Sequence, residues 1–233
     1  MIVEKKSPNQ DNRPDGISPS VIVLHYTGFP NQEDADLLYM TPGQVSPHYM
    51  INQSGAVTNY VLEEKRAWHA GVSSWDGMND LNSTSIGIEI CNGGHKYGLP
   101  AFPVQQISLL IELINHIRTR WDIPDHYILA QSDISPGRKI DPGEKFPWAK
   151  LHEAGIGLMP KDKIDLEIPL DQALRQFGYD PSVGVDILKT EFCRHYLYDK
   201  YSTATEDNIR CALACLLKQK PSAPARSAFN AES

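Results

Sequence analysis

Two polar residues of this chain have the chemical type and the setting of metal ligands. His25 stands near the end of the apolar run SVIVLHYT, and Asp141 lies in KIDPG, a loop that follows a Pro-Gly turn. An imidazole at a strand end is placed for binding, and a carboxylate held by prolines loses little entropy when it binds a metal ion. Taken alone, His25 is better explained as a core histidine and Asp141 as a turn former. The pair therefore indicates a metal site only in the company of further catalytic groups.

Glu89 is a candidate general base. In SIGIEI (85–90) isoleucines alternate with Ser85, Gly87 and Glu89, so the glutamate shares its face of a strand with two small residues. Such a face leaves an open surface beside the carboxylate for a substrate, and a semi-buried glutamate with a raised pKa suits proton abstraction from water. A solvated glutamate at a strand edge is the competing interpretation.

The elements that must position these side chains alternate between strands and helices. Continuous β-branched or alternating apolar runs predict strands, and the helical spacing of isoleucines and leucines after Pro103 predicts a helix. The predicted elements are strands at 20–27, 48–52, 54–62, 85–90 and 127–133, a helix at 104–121 and a shaped loop at 135–143. This alternation indicates an α/β domain over residues 1–155.

The remainder of the chain has a different pattern. After a short linker at 156–164, three amphipathic stretches within residues 165–219 predict a small bundle of three helices. Residues 220–233 are of low complexity, which predicts a disordered tail.

Composition narrows the class of protein. A net charge of −7 gives repulsion with nucleic acid, which we therefore exclude as a partner, and no apolar run approaches the roughly 18 residues that span a bilayer. The four cysteines form no CxxC pair, and the N-terminus shows no signal-peptide pattern. These features predict buried thiols and a cytoplasmic protein, or a periplasmic one if a leader has been removed.

Five segments, in order, resemble a known family. VIVLHYT, SPHYMI, AWHAG, SIGIEI and SDISPGRKIDPG are similar to motifs of the zinc-dependent N-acetylmuramoyl-L-alanine amidases, whose type 2 amidase fold is shared with peptidoglycan recognition proteins. The resemblance covers about residues 7 to 150. The later QALRQFGYD and FCRHY resemble the three-helix peptidoglycan-binding module of some of these amidases. The resemblance implies a mixed central β-sheet flanked by helices, a small C-terminal three-helix domain, and peptidoglycan fragments (muropeptides) as partners.

The resemblance also implies roles for individual residues. It places zinc ligands at His25 and Asp141, the catalytic base at Glu89 and the oxyanion-stabilising lysine at Lys139. It further implies that Zn²⁺ activates a water molecule, whose proton Glu89 passes to the leaving amine, so that the amide between N-acetylmuramic acid and L-alanine is cleaved. Substrate-binding positions along the cleft fall on His48, Trp68, His69 and Arg138.

Gln131 is the departure from the family pattern. The family has a histidine ligand before the SDI segment, whereas this chain keeps SDI and carries glutamine. A neutral amide oxygen is a poorer partner for zinc than an imidazole nitrogen, so we expect a loss of affinity or activity of at least about 10- to 100-fold. His126 lies five residues upstream, before the apolar strand, and is not expected to replace the missing imidazole.

Two functions stay open on the sequence. The chain is either a peptidoglycan amide hydrolase with a weakened metal site, or a non-catalytic protein that binds muropeptides. Glu89 and Lys139 favour the hydrolase, because a binding protein has no chemical need for a base and an oxyanion donor at those positions.

Overall fold

A six-stranded mixed sheet forms the centre of the computed structural model, which describes residues 2–162 and 164–221. The order of its strands is β1-β5-β4-β9-β3-β10, in which only β4 and β5 pair antiparallel. The strands are β1 Ile2–Glu4, β2 Gln10–Asn12, β3 Val21–Tyr26, β4 Tyr49–Ile51, β5 Val57–Asn59, β6 Lys65–Ala67, β7 Ser74–Trp75, β8 Met78–Asn79, β9 Ser85–Ile90 and β10 Ile128–Ala130. The predicted mixed sheet is confirmed.

Helices cover both faces of this sheet. They are α1 Gln32–Met40, α2 Leu81–Thr84, α3 Val104–Arg118, α4 Gln131–Ile134, α5 Trp148–Glu153, α6 Leu170–Phe177, α7 Val185–Tyr196 and α8 Glu206–Gln219. None of the helices in the described ranges is long and apolar enough to cross a membrane. The predicted tail at 220–233 lies, except for its first two residues, outside the described residues.

The inner strand β3 shows how the core is divided. Ile22 and Leu24 pack in the cluster that contains the apolar face of α3, whereas Val21 and Val23 pack in the cluster that contains α6, α7 and α8. All four side chains are fully buried, and burying each contributes up to about 1.5–3 kcal/mol. Successive residues of a strand point to opposite faces, so both faces of β3 are covered, as its continuous β-branched run predicts.

The three C-terminal helices occur where the amphipathic patterns predict them. Their buried residues share one hydrophobic cluster with strands β3 and β10. The sequence FCRHY, which resembles a peptidoglycan-binding motif, lies on α7 and is buried at all five positions. Its side chains therefore pack inward. The division into domains at 1–155 and 165–219 stays a prediction.

One predicted element is wrong. The sequence pattern extends a strand through residues 127–133, but the strand ends at Ala130 and α4 begins at Gln131. The physical reason is Asp133, whose Oδ2 accepts the main-chain N–H of Ala130 at 2.8 Å and so caps the start of a helix. This turn carries the side chain of Gln131 to the end of the sheet.

Candidate active site

Three predicted ligands meet at the carboxyl ends of the parallel strands. His25 ends β3, and Gln131 directly follows the neighbouring strand β10. The Nδ1 atom of His25 lies 3.0 Å from Gln131 Oε1 and 3.2 Å from Asp141 Oδ2. Asp141 is brought there by the loop at 135–143, because its carbonyl accepts the N–H of Ser132 at 3.1 Å. The predicted cluster of His25, Gln131 and Asp141 therefore exists, and all three are buried.

The amide of Gln131 has a fixed orientation. Its Nε2 donates to the main-chain carbonyls of His69, at 3.1 Å, and Ala70, at 3.3 Å. Since carbonyls only accept hydrogen bonds, the amide nitrogen must face them. The carbonyl oxygen of Gln131 consequently faces His25.

A chain of hydrogen bonds also fixes the protons of the two imidazoles. Ser85 Oγ donates to the carbonyl of Leu81, so it accepts from His69 Nε2, 3.1 Å away. Burial, together with repulsion from the neighbouring imidazoles of His25 and His48 whenever these are protonated, holds the pKa of His69 well below its usual value. His69 is therefore neutral, and its Nδ1 accepts from His25 Nε2 at 3.0 Å.

This proton arrangement leaves a lone pair on Nδ1 of neutral His25, directed toward two oxygens that can only accept. Three lone-pair donors facing one another require a positive charge between them, either a proton on His25 or a metal ion. Burial lowers the pKa of His25, but the hydrogen bond to Asp141, the charge of Glu89 and the bond to Gln131 outweigh it, so the pKa is raised. The site is built for a cation.

The donor atoms fit a divalent metal ion. Ligands at about 2.0–2.2 Å from a metal lie roughly 3.0–3.5 Å from one another, and the two separations from His25 Nδ1 are 3.0 and 3.2 Å. Within residues 2–162 and 164–221, however, no group of three His, Cys, Asp or Glu side chains could hold a metal ion. The third donor is an amide oxygen, so the site differs from an ordinary zinc site in chemistry and resembles one in geometry.

Glu89 lies beside these ligands because β3 and β9 pair in register, with His25 opposite Glu89. Desolvation raises the pKa of Glu89 to about 7; the negative charge of Asp141 also raises it, while His25, Lys139 and Tyr39 lower it. Its Oε2 has no hydrogen-bond partner among the described residues. Glu89 therefore combines the pKa and the available oxygen of a general base near neutral pH.

A cavity of about 290 Å³ opens in front of these groups. Its wall contains the predicted residues Glu89, Gln131, Lys139, Asp141, His69 and Arg138. Tyr26 and Tyr39 line it as well, and the sequence patterns singled out neither of them. Arg138 is held at the rim, where its guanidinium donates to the carbonyls of Ala70 and Val72.

Two residues predicted to line the cleft are not among the residues that line this cavity. His48 is fully buried; its Nδ1 accepts the N–H of Gly87, and its Nε2 lies 3.1 Å from both the carbonyl of Lys65 and the guanidinium of Arg13. Trp68 is half-buried and donates its main-chain N–H to Ser46, which does line the cavity. The ring of His48 is thus enclosed by these polar partners, and its predicted contact with substrate stays a prediction.

The space predicted next to Gly87 is filled, although Glu89 itself lines the cavity. A Cβ atom at Gly87 would come within 2.4 Å of the ring of His69, so the space next to this glycine holds that imidazole. His69 therefore both lines the cavity and forms the hydrogen bond that orients His25.

Asp133, Tyr179 and His195 form a polar network next to Gln131 that the sequence patterns do not predict. Both oxygens of buried Asp133 accept from the C-terminal helical region, Oδ1 from the Tyr179 hydroxyl at 3.0 Å and Oδ2 from His195 Nδ1 at 2.6 Å. His195 is in turn stacked between Trp148 and Tyr196. The only local signal was Asp133 three residues after the strand end, where a capping carboxylate belongs. His126 precedes β10, at the end of that strand opposite Gln131.

Comparison with known proteins decides the family. The family model described as N-acetylmuramoyl-L-alanine amidase matches residues 15–144. This chain belongs to that amidase family. It is therefore a peptidoglycan amide hydrolase of the class that cleaves the bond between N-acetylmuramic acid and L-alanine in muropeptides, and amidases of this family depend in general on zinc.

Relatives of the amidase extend the match beyond the family segment. N-acetylmuramoyl-L-alanine amidase AmiD from Escherichia coli is 36% identical over 209 residues, which cover 77% of this chain and 75% of AmiD. The crystal structure of AmpDh3 from Pseudomonas aeruginosa superposes with a TM-score of 0.79 at 31% identity, over 95% of this chain and 100% of AmpDh3. A complex of E. coli AmiD with anhydro-N-acetylmuramic acid-L-Ala-D-gamma-Glu-L-Lys gives a TM-score of 0.75 at 30% identity, over 89% and 93% of the two chains. The similarity thus includes the C-terminal helices.

Proposed function

We propose that this amidase is catalytically active and that a divalent cation held by His25, Gln131 and Asp141 takes part in hydrolysis. The observation that carries the proposal is the convergence of three lone-pair donors, 3.0 and 3.2 Å apart at His25 Nδ1, beside a glutamate of raised pKa. Zinc is the cation that the family implies. It would supply Lewis acidity toward the scissile carbonyl and the attacking water.

The residues of this chain supply the remaining steps. Glu89, whose pKa is about 7, is partly ionised at neutral pH and takes the proton of the attacking water. The same carboxyl group then delivers that proton to the leaving nitrogen of L-alanine. Lys139 lines the same cavity, and its ammonium group stabilises the negative charge that develops on the carbonyl oxygen.

The substrate we propose is a soluble muropeptide, including its anhydro form. AmiD of E. coli binds an anhydro-N-acetylmuramic acid tripeptide in its solved complex. In this chain the cavity of about 290 Å³ accommodates the atoms around a scissile amide, and Arg138 lines both this cavity and a second groove, which Arg66 and Asp180 also line. A stem peptide that extends past Arg138 would reach this second groove.

We further propose that the protein works in a reducing compartment such as the cytoplasm. All four cysteines are free, and Cys91, Cys193 and Cys215 are buried. Free thiols persist where glutathione and thioredoxin keep them reduced. Cell fractionation with antibody detection checks this, and recovery with the periplasmic proteins would contradict it.

Release of L-alanyl peptide from a purified anhydromuramyl peptide tests the catalytic proposal. The metal-loaded protein is expected to cleave it, and Glu89→Gln is expected to reduce the rate about 10²- to 10⁴-fold while substrate binding, measured by calorimetry, persists. Equal rates for the two proteins would contradict the role of Glu89.

The second candidate is a muropeptide-binding protein without activity. The observation in its favour is that a proton on His25 satisfies Gln131 and Asp141 without any metal, and the pKa of His25 is indeed raised. Tight binding of the anhydromuramyl peptide, with no cleavage by the metal-loaded protein, would establish this alternative.

A further inference from the structure

We infer that Gln131 shifts the selectivity of this site away from zinc and toward harder divalent cations of the Mn²⁺ class. The inference rests on the proposed function in one respect, namely that His25, Gln131 and Asp141 are the metal ligands. The inference goes beyond the proposed function because it assigns the metal selectivity to the side chain of Gln131.

The orientation of Gln131 makes the amide oxygen the atom that a metal meets. The side chain is buried, and its Nε2 is held by the carbonyls of His69 and Ala70. Rotating the amide by half a turn would remove both hydrogen bonds and direct an N–H group at the metal position. The donor presented to a cation is therefore Oε1, 3.0 Å from His25 Nδ1.

The resulting donor set contains one nitrogen and two oxygens. Imidazole nitrogen suits zinc, whereas carboxylate and carbonyl oxygen suit Mg²⁺, Ca²⁺ and Mn²⁺. Exchanging an imidazole for an amide oxygen removes a donor that zinc favours and supplies one that Mn²⁺ accepts. We expect zinc affinity to fall further than Mn²⁺ affinity.

No second imidazole of the site can restore the nitrogen. His69 is engaged through Nδ1 with the opposite nitrogen of His25 and through Nε2 with Ser85, and its ring is packed directly over Gly87. His69 cannot turn toward the ligand atoms without breaking these contacts.

The open side of the site also suits a harder ion. Such ions keep several water molecules and higher coordination numbers than zinc. Gln131 and Asp141 line the cavity of about 290 Å³. Space is thus available for water molecules as the additional ligands.

The test compares this protein with its Gln131→His variant. After removal of metals by a chelator, the Kd values for Zn²⁺ and Mn²⁺ are measured for both proteins by competition with a coloured chelator, and bound Mn²⁺ is followed by electron paramagnetic resonance. We expect the ratio Kd(Mn²⁺)/Kd(Zn²⁺) to be at least about 10-fold smaller in the wild type than in Q131H. An unchanged ratio, or a wild type that binds neither ion, would overturn the inference.

Gln131→Cys is the second variant, in case Q131H does not fold. A thiolate is a softer donor that zinc favours, so its ratio is expected to move in the same direction as that of Q131H. Gln131→Glu keeps an oxygen donor, and its ratio is expected to stay close to that of the wild type. A ratio in Q131E shifted as far as in Q131C would also overturn the inference.

The two proposals fail separately in these measurements. Affinities are determined without substrate, so an altered ratio together with absent cleavage would refute the proposed function alone. Efficient cleavage together with an unaltered ratio would refute the metal selectivity alone.

Discussion

His195 on α7 and Asp133 on α4 are joined by a buried hydrogen bond, with Nδ1 and Oδ2 2.6 Å apart. Asp133 stands two residues after Gln131 in the same turn of helix. The C-terminal helical region therefore helps to hold the segment that presents the amide of Gln131. The FCRHY segment of α7 resembles a peptidoglycan-binding motif. In this chain it is buried and stabilises the fold through His195.

Removing one donor to Asp133 is expected to lower stability. In Tyr179→Phe the buried carboxylate loses the hydroxyl 3.0 Å from Oδ1, and leaving such an acceptor unsatisfied costs about 1–3 kcal/mol. Urea unfolding measures this loss. Ser182→Ala, which removes an exposed hydroxyl in the same region, is the control and is expected to change stability by less than about 0.5 kcal/mol. Similar losses in both variants would contradict the importance of the buried bond.

The pH dependence of cleavage reports on Glu89. Its pKa is raised to about 7, and the base form gains population as pH rises through the pKa, so kcat/KM is expected to rise and then level off. A bound cation adds positive charge and moves this rise to lower pH. Glu89→Gln is expected to lose the rise, whereas exposed Glu112→Gln keeps it. A rise that persists in E89Q would assign the titration to another group.

Stability is expected to fall at acid pH because of His48. Burial and the charge of Arg13 lower the pKa of its imidazole to about 3, against about 6.5 in the unfolded chain. Between these values the unfolded state binds the extra proton, so stability declines as pH falls, by up to about 1.4 kcal/mol per pH unit. Unfolding of His48→Gln between pH 6.5 and 4 is expected to show a smaller slope. Exposed His116→Gln should keep the wild-type slope, and identical slopes for all three proteins would refute the assignment.

Gly87→Ala is expected to disturb the metal site by displacing His69. Its Cβ would lie 2.4 Å from Cγ of His69, so the ring must move and its hydrogen bond to His25 is lost. Overpacking of this kind costs about 1–3 kcal/mol, and loss of the group that orients a ligand lowers metal affinity about 10- to 100-fold. Scanning calorimetry measures the loss of stability, and titration calorimetry measures the loss of metal affinity. Gly184→Ala is the matched control, because nothing lies within 4 Å of a Cβ there, and wild-type affinity in G87A would contradict the role of His69.

Chelation is expected to lower the melting temperature of the wild type. A metal present at 100 times its Kd stabilises the folded state by about 2.7 kcal/mol, which EDTA removes. In Asp141→Asn the cation loses its only charged ligand among the three, so EDTA should have little effect. Equal shifts in both proteins would place the stabilising ion elsewhere.

The family resemblance of the sequence pointed to the candidate ligands and the candidate base, and their roles stay predictions, although the structure brings these residues together at one edge of the sheet. His25 and Glu89 lie opposite each other in paired strands, and parallel strands bring their carboxyl ends together. The bonds that hold Asp133 to the C-terminal helical region could not be predicted, since its partners there lie 46 and 62 residues away. The burial of His48 was equally hidden, because its partner Arg13 comes from a separate segment.

The packing of α6, α7 and α8 on the sheet limits how far this enzyme can be shortened. Val21, Val23 and Leu129 are fully buried within the cluster those helices complete. A truncated chain ending after α5 would expose these apolar side chains to water and would therefore be insoluble. It would also lose the hydrogen bonds that hold Asp133, so Gln131 would no longer be fixed in position.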